Sequence, residues 1–373
     1  MKSLRTYKLK IASEHPRFAE ISISYLKAAN WLSKIIFNRK QTYTPNHLSR
    51  EFYGIVREKF NLPSQVTCSL FRHVVSTYRS MKSNKTWHLA IYKKPSIPLC
   101  WKRDFNIRKK SVSIWGELIT YQSRELPEGK WSDSKLKKIN GQWYLCLTIE
   151  IDIPEPKITG GIIGVDRGQK NILCAVDHKT NKTLCVKGKQ LNHQRLRIRQ
   201  TKARVASVGT RSAKRLLKRL SGREKAVTQE SLHIASKQLV AFAQLVDAKT
   251  IIMENLTGFK DKQIKDNKKQ HHKQMVRNNR WPYALLEFFI TYKAAAVGIG
   301  IDHVSARNTS CGCPKCGHVS KSNRNGLEFQ CVTCGFADNA DRVGSTNVAL
   351  RSLCQRQAAG ERAMCQLAYS SSN

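Results

Sequence analysis

Residues 162–171, Ile-Ile-Gly-Val-Asp-Arg-Gly-Gln-Lys-Asn, decide how this chain is read. An apolar run, Ile162 to Val165, has the character of a buried strand and delivers a carboxylate, Asp166, at its end. Gly168 permits a tight turn into a second strand, Ile172–Val176, and a third follows at Thr183–Val186. The stretch predicts a three-stranded meander. Just upstream, Pro154 and Pro156 neither extend a ladder nor start inside a helix, which marks a boundary near residue 155.

Downstream, a long basic helical region is expected from about Leu191 to Ala248, with breaks near Gly209 and Gly222. Thr250–Met253 is the next strand, and it again ends in a carboxylate, Glu254. Residues 260–280 are polar and basic and read as a mobile loop. A helix over 281–297, a strand over 299–304 and a cysteine module follow. Asp341 then precedes a short helix over 344–353 that carries Asn347. Either acid alone would be an ordinary turn, cap or ion-pair residue. Together, strand–Asp–meander, helix, strand–Glu, helix, Asp–helix is the order of an RNase H-like (RuvC) site. Carboxylates are costly to gather in a fold unless a cation neutralises them, and hard ions such as Mg²⁺ or Mn²⁺ are held this way. Asp166, Glu254 and Asp341 are therefore the candidate catalytic and Mg²⁺-binding residues of a phosphodiester hydrolase.

Cys313-Pro-Lys-Cys316 and Cys331-Val-Thr-Cys334 are two CxxC knuckles, each followed by Gly. Four thiolates at this spacing predict one tetrahedral Zn²⁺ in a ribbon over 309–337, with no position left for water or substrate, so the zinc is structural. Cys311 is a spare thiol nearby. Five of the twelve cysteines crowd into 311–334, which favours a metal site over a disulfide framework in a reducing compartment.

Residues 1–155 read as a β-module with a helical insertion over 15–86. Helices are expected over about 17–37 and 45–81, the second broken near Pro63. Strands are expected at 4–11, His88–Tyr92, Ser111–Trp115, Glu117–Tyr121 and Trp143–Ile151, with turn formers at 127–129 and at Asn140-Gly141. The composition fits a polyanion partner. Sixty-six Lys and Arg face 26 Asp and Glu, a formal net charge of +40. The basic helical region concentrates this charge in Arg195, Arg197, Arg199, Lys202, Arg204, Arg211, Lys214, Arg215, Lys218 and Arg219, a stripe suited to phosphate backbones. No apolar run of ~18 residues is present and the N-terminus lacks the apolar core of a signal peptide, so a cytoplasmic, nucleoid-associated protein with no membrane partner is expected.

The order of GVDRGQKN, IIMENLTGF, RWPYALLEFFITYKAAAVGI, IDHV, NTSCGCPKCGHVSKSNR, FQCVTCGF and ADRVGSTNV resembles the TnpB family, transposon-encoded proteins related to type V CRISPR effectors. The resemblance covers residues 160–350 closely and 1–155 by architecture. It implies a multi-domain α+β protein. A wedge-like β-barrel would span 1–14 and 87–155, and a helical recognition insertion 15–86. A RuvC nuclease domain would span 158–308 and 338–355, with the zinc ribbon before its last helix and a disordered tail over 356–373. It also implies an RNA-guided endonuclease from a prokaryotic host, with a guide RNA and double-stranded target DNA as partners. The family's catalytic acids fall on Asp166, Glu254 and Asp341, and its zinc ligands on Cys313, Cys316, Cys331 and Cys334. One departure stands out: where the family has Asn-Ala-Ala after the third acid, this chain has Val343-Gly344-Ser345 after Arg342.

Two other readings stay open at this level. A nuclease-silent RNA-guided repressor would have lost a carboxylate, and a guide-free structure-specific nuclease would leave the N-terminal module and the ribbon without a task.

Overall fold

Apolar residues three and four apart between Phe18 and Ile36 build helix α1 (Pro16–Arg39), which buries Phe18, Tyr25, Leu32 and Ile36 on one face. Helix α2 (Pro45–Phe60) starts at a proline behind Thr44, whose hydroxyl caps His47 N at 3.2 Å. Helix α3 (Ser64–Ser83) begins directly after Pro63, where the sequence places the break. The computed structural model describes residues 2–11, 15–108, 111–121, 126, 128–139, 141–256 and 281–360. It divides the chain into two units, residues 1–152 and 153–373.

In the first unit the three helices share one core with a four-stranded antiparallel sheet of order β1-β7-β6-β2. Its strands are β1 (Lys2–Lys10), β2 (Ser96–Leu99), β6 (Lys130–Ile139) and β7 (Gln142–Asp152). Strand β7 alternates strictly, with Trp143, Leu145, Leu147 and Ile149 inward. A second sheet holds β3 (Phe105–Ile107), β4 (Ser111–Ile114) and β5 (Glu117–Thr120). The expected β-barrel is corrected here: the described strands form two sheets, not one closed ladder. Among the described residues the two ladders are joined only by isolated bridges, Ile11 with Tyr121 and Trp101 with Phe105. Strands of three and four residues, one of them holding Pro98 with no N–H to give, are too short to carry the ladder round. The expected strand at His88–Tyr92 is also absent. Helix α1 satisfies that backbone instead, through Asn30 to both Tyr92 N and Tyr92 O and through Ser33 to Ala90 O.

The second unit centres on a five-stranded sheet of order β10-β9-β8-β11-β12. Strands β8 (Gly161–Asp166), β9 (Asn171–Asp177) and β10 (Thr183–Lys187) form the expected meander. Strands β11 (Ala248–Asn255) and β12 (Gly300–Ser305) join parallel to β8. Helices α4 (Lys189–Val208) and α5 (Arg211–Leu245) break at Gly209, but Gly222 lies inside α5 and does not interrupt it. Because strand residues alternate, Ile163, Val165, Ile251 and Met253 face α5 and α6 (Tyr283–Ala295). Ile162, Ile252 and Val304 face α7 (Ala340–Gly360) through Val348. Helix α7 is longer than its expected 344–353. Of the tail expected to be disordered, 356–360 are helical and 361–373 lie outside the described residues, as do the whole of the expected mobile loop over 260–280 and parts of the turns at 127–129 and 140–141.

Between β12 and α7, strands β13 (Arg324–Asn325), β14 (Glu328–Gln330) and β15 (Ala337–Asn339) form a small antiparallel sheet. Two cysteines outside the 311–334 cluster do pair: Cys174 and Cys185, register partners across β9 and β10, form a disulfide. Among the described residues that is one cross-link and not a framework. No described helix is long and apolar enough to cross a membrane.

Candidate active site and cysteine cluster

Strand register brings the first two acids together. Gly164 lies opposite Ile252, and Val165 opposite Met253, in the parallel β8–β11 pair. The next residues along, Asp166 and Glu254, therefore lie side by side at the C-terminal ends of neighbouring strands, on the face that α7 covers. Helix α7 crosses that face closely. A Cβ on Gly164 would lie 2.0 Å from Ser345 O and 2.6 Å from Ala349 N, so only glycine admits the helix there. Asp341 sits in the first turn of α7 and is 9% exposed.

The departure at Val343-Gly344-Ser345 becomes intelligible in this crossing. A Cβ on Gly344 would come 3.0 Å from Asp166 Oδ2 and 3.3 Å from its Cγ, a tight fit against the carboxylate. Ser345 accepts from Asp166 N at 3.3 Å, and its hydroxyl lies 2.8 Å from both Cys174 O and Asp341 O. The altered residues thus clear room for the first acid and tie its backbone to α7.

Electrostatically Asp166 feels both of the other acids. Burial, then the charges of Glu254 and Asp341, push Asp166 up to about 7, against the pull of Arg324. Burial also raises Glu254, against Thr309, Arg167, Arg351 and Arg324. Each acid has its own protein partners. Asp341 accepts from Asn171 Nδ2 at 2.8 Å and pairs with Arg324 at 3.1 Å. Glu254 Oε1 accepts from the Thr309 hydroxyl, and Glu254 O accepts from Arg167. The Arg167 guanidinium is fully buried and pairs with Glu287 on α6 at 2.6 Å, and Glu287 in turn meets His303 on β12 at 2.9 Å. This all-oxygen donor set, with its surplus negative charge, fits a hard divalent cation.

The cysteines behave differently. Among the described residues they are the one group of three or more His, Cys, Asp or Glu whose ligand atoms converge as a metal site does. The Sγ atoms of Cys313, Cys316, Cys331 and Cys334 all lie within 4.8 Å of one another. Cys313 and Cys334 are 3.6 Å apart and Cys316 and Cys331 3.5 Å, near the ~3.8 Å edge of a tetrahedron with 2.3 Å Zn–S bonds. Cys311 stands outside, its sulfur toward Asn308 O at 3.9 Å. Buried Asn323 links the knuckles, donating to Cys311 O and accepting from Val332 N.

The basic stripe is split by the fold. Arg195, Arg199 and Lys202 gather on Glu224 at 3.8, 3.1 and 3.2 Å, and Arg195 also lies over the Trp281 ring. Arg197, Arg204, Arg211, Lys214, Arg215, Lys218 and Arg219 lie outside this group, on the more open part of the two helices. Sequence reasoning missed Arg324, Thr309, Asn171 and the Arg167–Glu287 pair. Arg167 and Asn171 stand in the deciding stretch and were legible as neighbours of Asp166. Arg324 is one of many basic residues, and nothing local singles it out.

A family model described as "Cas12f1-like, TNB domain" matches residues 283–348, from α6 through the ribbon into α7. A TnpB-like protein of Methanocaldococcus jannaschii is 28% identical over 251 residues, which covers 65% of this chain and 88% of that protein. A CRISPR-associated endodeoxyribonuclease Cas12f1 of an uncultured archaeon is 24% identical over 294 residues, 67% of this chain but only 54% of its own length. A solved Cas12f1–sgRNA–target DNA complex superposes with a TM-score of 0.61 at 16% identity, covering 89% of this chain and 82% of that one. The architecture is therefore a multi-domain α+β fold of the Cas12f kind, and the resemblance to the TnpB family is borne out.

Proposed function

We propose that this chain, a relative of TnpB-like proteins and of Cas12f nucleases, is an RNA-guided DNA endonuclease that cuts at a single RuvC-type site. The observation that carries the reading is the meeting of Asp166, Glu254 and Asp341 on the α7 face of the sheet, with Asp166 driven up to about 7 by burial and by the other two charges. A buried acid that feels two neighbouring carboxylate charges favours a proton or a cation beside it. A divalent ion at these carboxylates would activate a water and stabilise the leaving oxygen of a phosphodiester. The strand order, the crossing helix and the names of the relatives support the RuvC-type and endonuclease assignments.

The chain's own residues contribute three further things. Arg324 brings a fixed cation against Asp341, where charge must be balanced before and after a phosphate arrives. Arg167 clamps the ends of β8 and β11 together through Glu254 O. The basic residues of α4 and α5 that Glu224 leaves free offer contacts to phosphate backbones, which position a nucleic acid without reading its sequence. The four cysteines would hold a structural Zn²⁺. Guidance by RNA is drawn from the relatives and fits the +40 charge, which suits a protein that holds RNA and DNA together. Heteroduplex formation displaces a strand at nearly balanced energy, and that strand can then enter a site that an intact duplex cannot.

The test is to purify the protein from cells, sequence the RNA that accompanies it, and assay duplex cleavage with Mg²⁺ before and after RNase treatment. Activity should require the RNA and a matching target, and mismatches near the flanking motif should block it most. RNase-treated protein cutting duplex DNA at full rate would move the assignment to a guide-free nuclease.

A further inference from the structure

Thr309 lies at the root of the cysteine ribbon, two residues before Cys311, and is 2% exposed. Its hydroxyl touches two acceptors, Glu254 Oε1 and Ala306 O at 3.1 Å. A hydroxyl has one proton to give, and an ionised carboxylate is the stronger acceptor. The Thr309 carbonyl is itself anchored. Asn347, wholly buried on α7, donates to Thr309 O at 2.9 Å and to Gly312 O at 2.8 Å. The helix that carries Asp341 therefore grips the segment that reaches Glu254. Asn347 is thereby accounted for: it binds ribbon to helix and does not enter the acid site.

From this chain of contacts we infer that Thr309 is a positioning residue for Glu254. Its hydroxyl commits Oε1 to the fold, fixes the rotation of the carboxylate and leaves the second oxygen to a divalent cation. Hydrogen bonds of this kind to ligating carboxylates set both their orientation and their basicity, and removing one typically costs about 10–100-fold in metal affinity or activity. The inference rests on the reading of Glu254 as a metal ligand, and the experiment separates the two.

Full-length protein with its co-purified RNA is compared as wild type, T309V, T309A, T309S and E254Q. Mn²⁺ binding is measured by calorimetry, and the Mg²⁺ concentration for half-maximal cleavage, zinc content and DNA affinity are measured alongside. T309V, which keeps the shape and removes the donor, should weaken Mn²⁺ binding and raise the Mg²⁺ requirement by about 10–100-fold, with zinc and DNA affinity unchanged. T309S should restore both. T309V with wild-type Mn²⁺ binding and Mg²⁺ requirement, while E254Q is inactive, overturns the inference. So does loss of zinc in both T309V and T309A, because Thr309 would then hold the ribbon and not the carboxylate. E254Q that binds Mn²⁺ and cleaves like wild type would instead refute Glu254 as a ligand, and the inference would fall with that reading.

Discussion

The acid cluster and the cysteine cluster are two ways of gathering candidate cation ligands in one unit. The four cysteines come from residues 313–334, and their sulfurs already converge to within 4.8 Å. The three carboxylates come from residues 166, 254 and 341. They meet only because two parallel strands align in register and a helix crosses both. They are also held apart by partners of their own: Asn171 and Arg324 on Asp341, Thr309 on Glu254. Thiolates close round a soft ion that becomes part of the fold. Carboxylates on separate elements keep their charge only where a cation or a basic side chain offsets their repulsion, and the protein must hold them in place against it. The difference teaches that the ribbon would be stabilised by an ion it bound, whereas the acids are placed by the fold around them.

The largest expected effect breaks one side of this comparison and leaves the other intact. Asp166→Ala or Glu254→Ala should reduce cleavage by orders of magnitude, while zinc content and nucleic-acid affinity remain. Gel-based cleavage beside elemental analysis checks this, and cleavage within about tenfold of wild type for both variants would remove the pair from the site.

The converse break is at the cysteines. Cys316→Ser or Cys334→Ser should release the metal, of which the native protein should carry about one Zn per chain. It should also unfold residues 311–337 locally, since that small sheet buries little beyond Phe329, Cys313 and Cys331. Elemental analysis and hydrogen exchange over the ribbon read this out. A chelator-free preparation with no zinc would overturn the assignment.

A pH titration sharpens the comparison from the acid side. Asp166 holds its proton up to about 7 in the folded protein, against an ordinary value of 3.8. Between those limits the folded state binds more protons than the unfolded one, so the stabilising contribution of the protonated acid is full below about pH 4 and is lost as pH rises through about 7. Without divalent cations, stability should fall by a few kcal/mol across that window. Urea melts of wild type against Asp166→Asn isolate this contribution. Added Mg²⁺ should flatten the slope by taking the proton's place, and identical slopes for the two proteins would contradict the buried, coupled site.

The smallest effect lies outside both clusters. Replacing Arg215, Lys218 and Arg219 together by Ala should weaken nucleic-acid binding broadly and flatten its salt dependence, by roughly 0.9 in the log–log slope for each phosphate left unneutralised. Fluorescence titrations across salt measure this. The same change at Arg199 and Lys202 should matter less for binding, because both already pair with Glu224, which offsets part of their charge.

What was legible in the sequence was what is local. A strand ending in Asp166, another carrying Glu254 near its end and two CxxC knuckles are each short patterns of period and spacing, and the structure contains them; the helix expected after Asp341 begins one residue before it and holds Asp341 in its first turn. The prolines near 155 mark the change of unit within a few residues for the same reason. Packing decided the rest. Whether strands close into a barrel depends on overlap between distant segments, and here that overlap shrinks to single pairs. The backbone of 88–92 looked like a strand until α1 offered Asn30 and Ser33 as partners. The stripe on α4 and α5 looked uniform until folding brought Glu224 against three of its members. Gly344 and Ser345 looked like departures until the helix crossing showed them making room for Asp166 and tying its backbone. Sequence alone thus determined which residue types could bind cations and where their strands and helices begin. The tertiary structure decided which carboxylates share a field and which neighbours hold them, because those depend on distances between segments tens to hundreds of residues apart that no local pattern records.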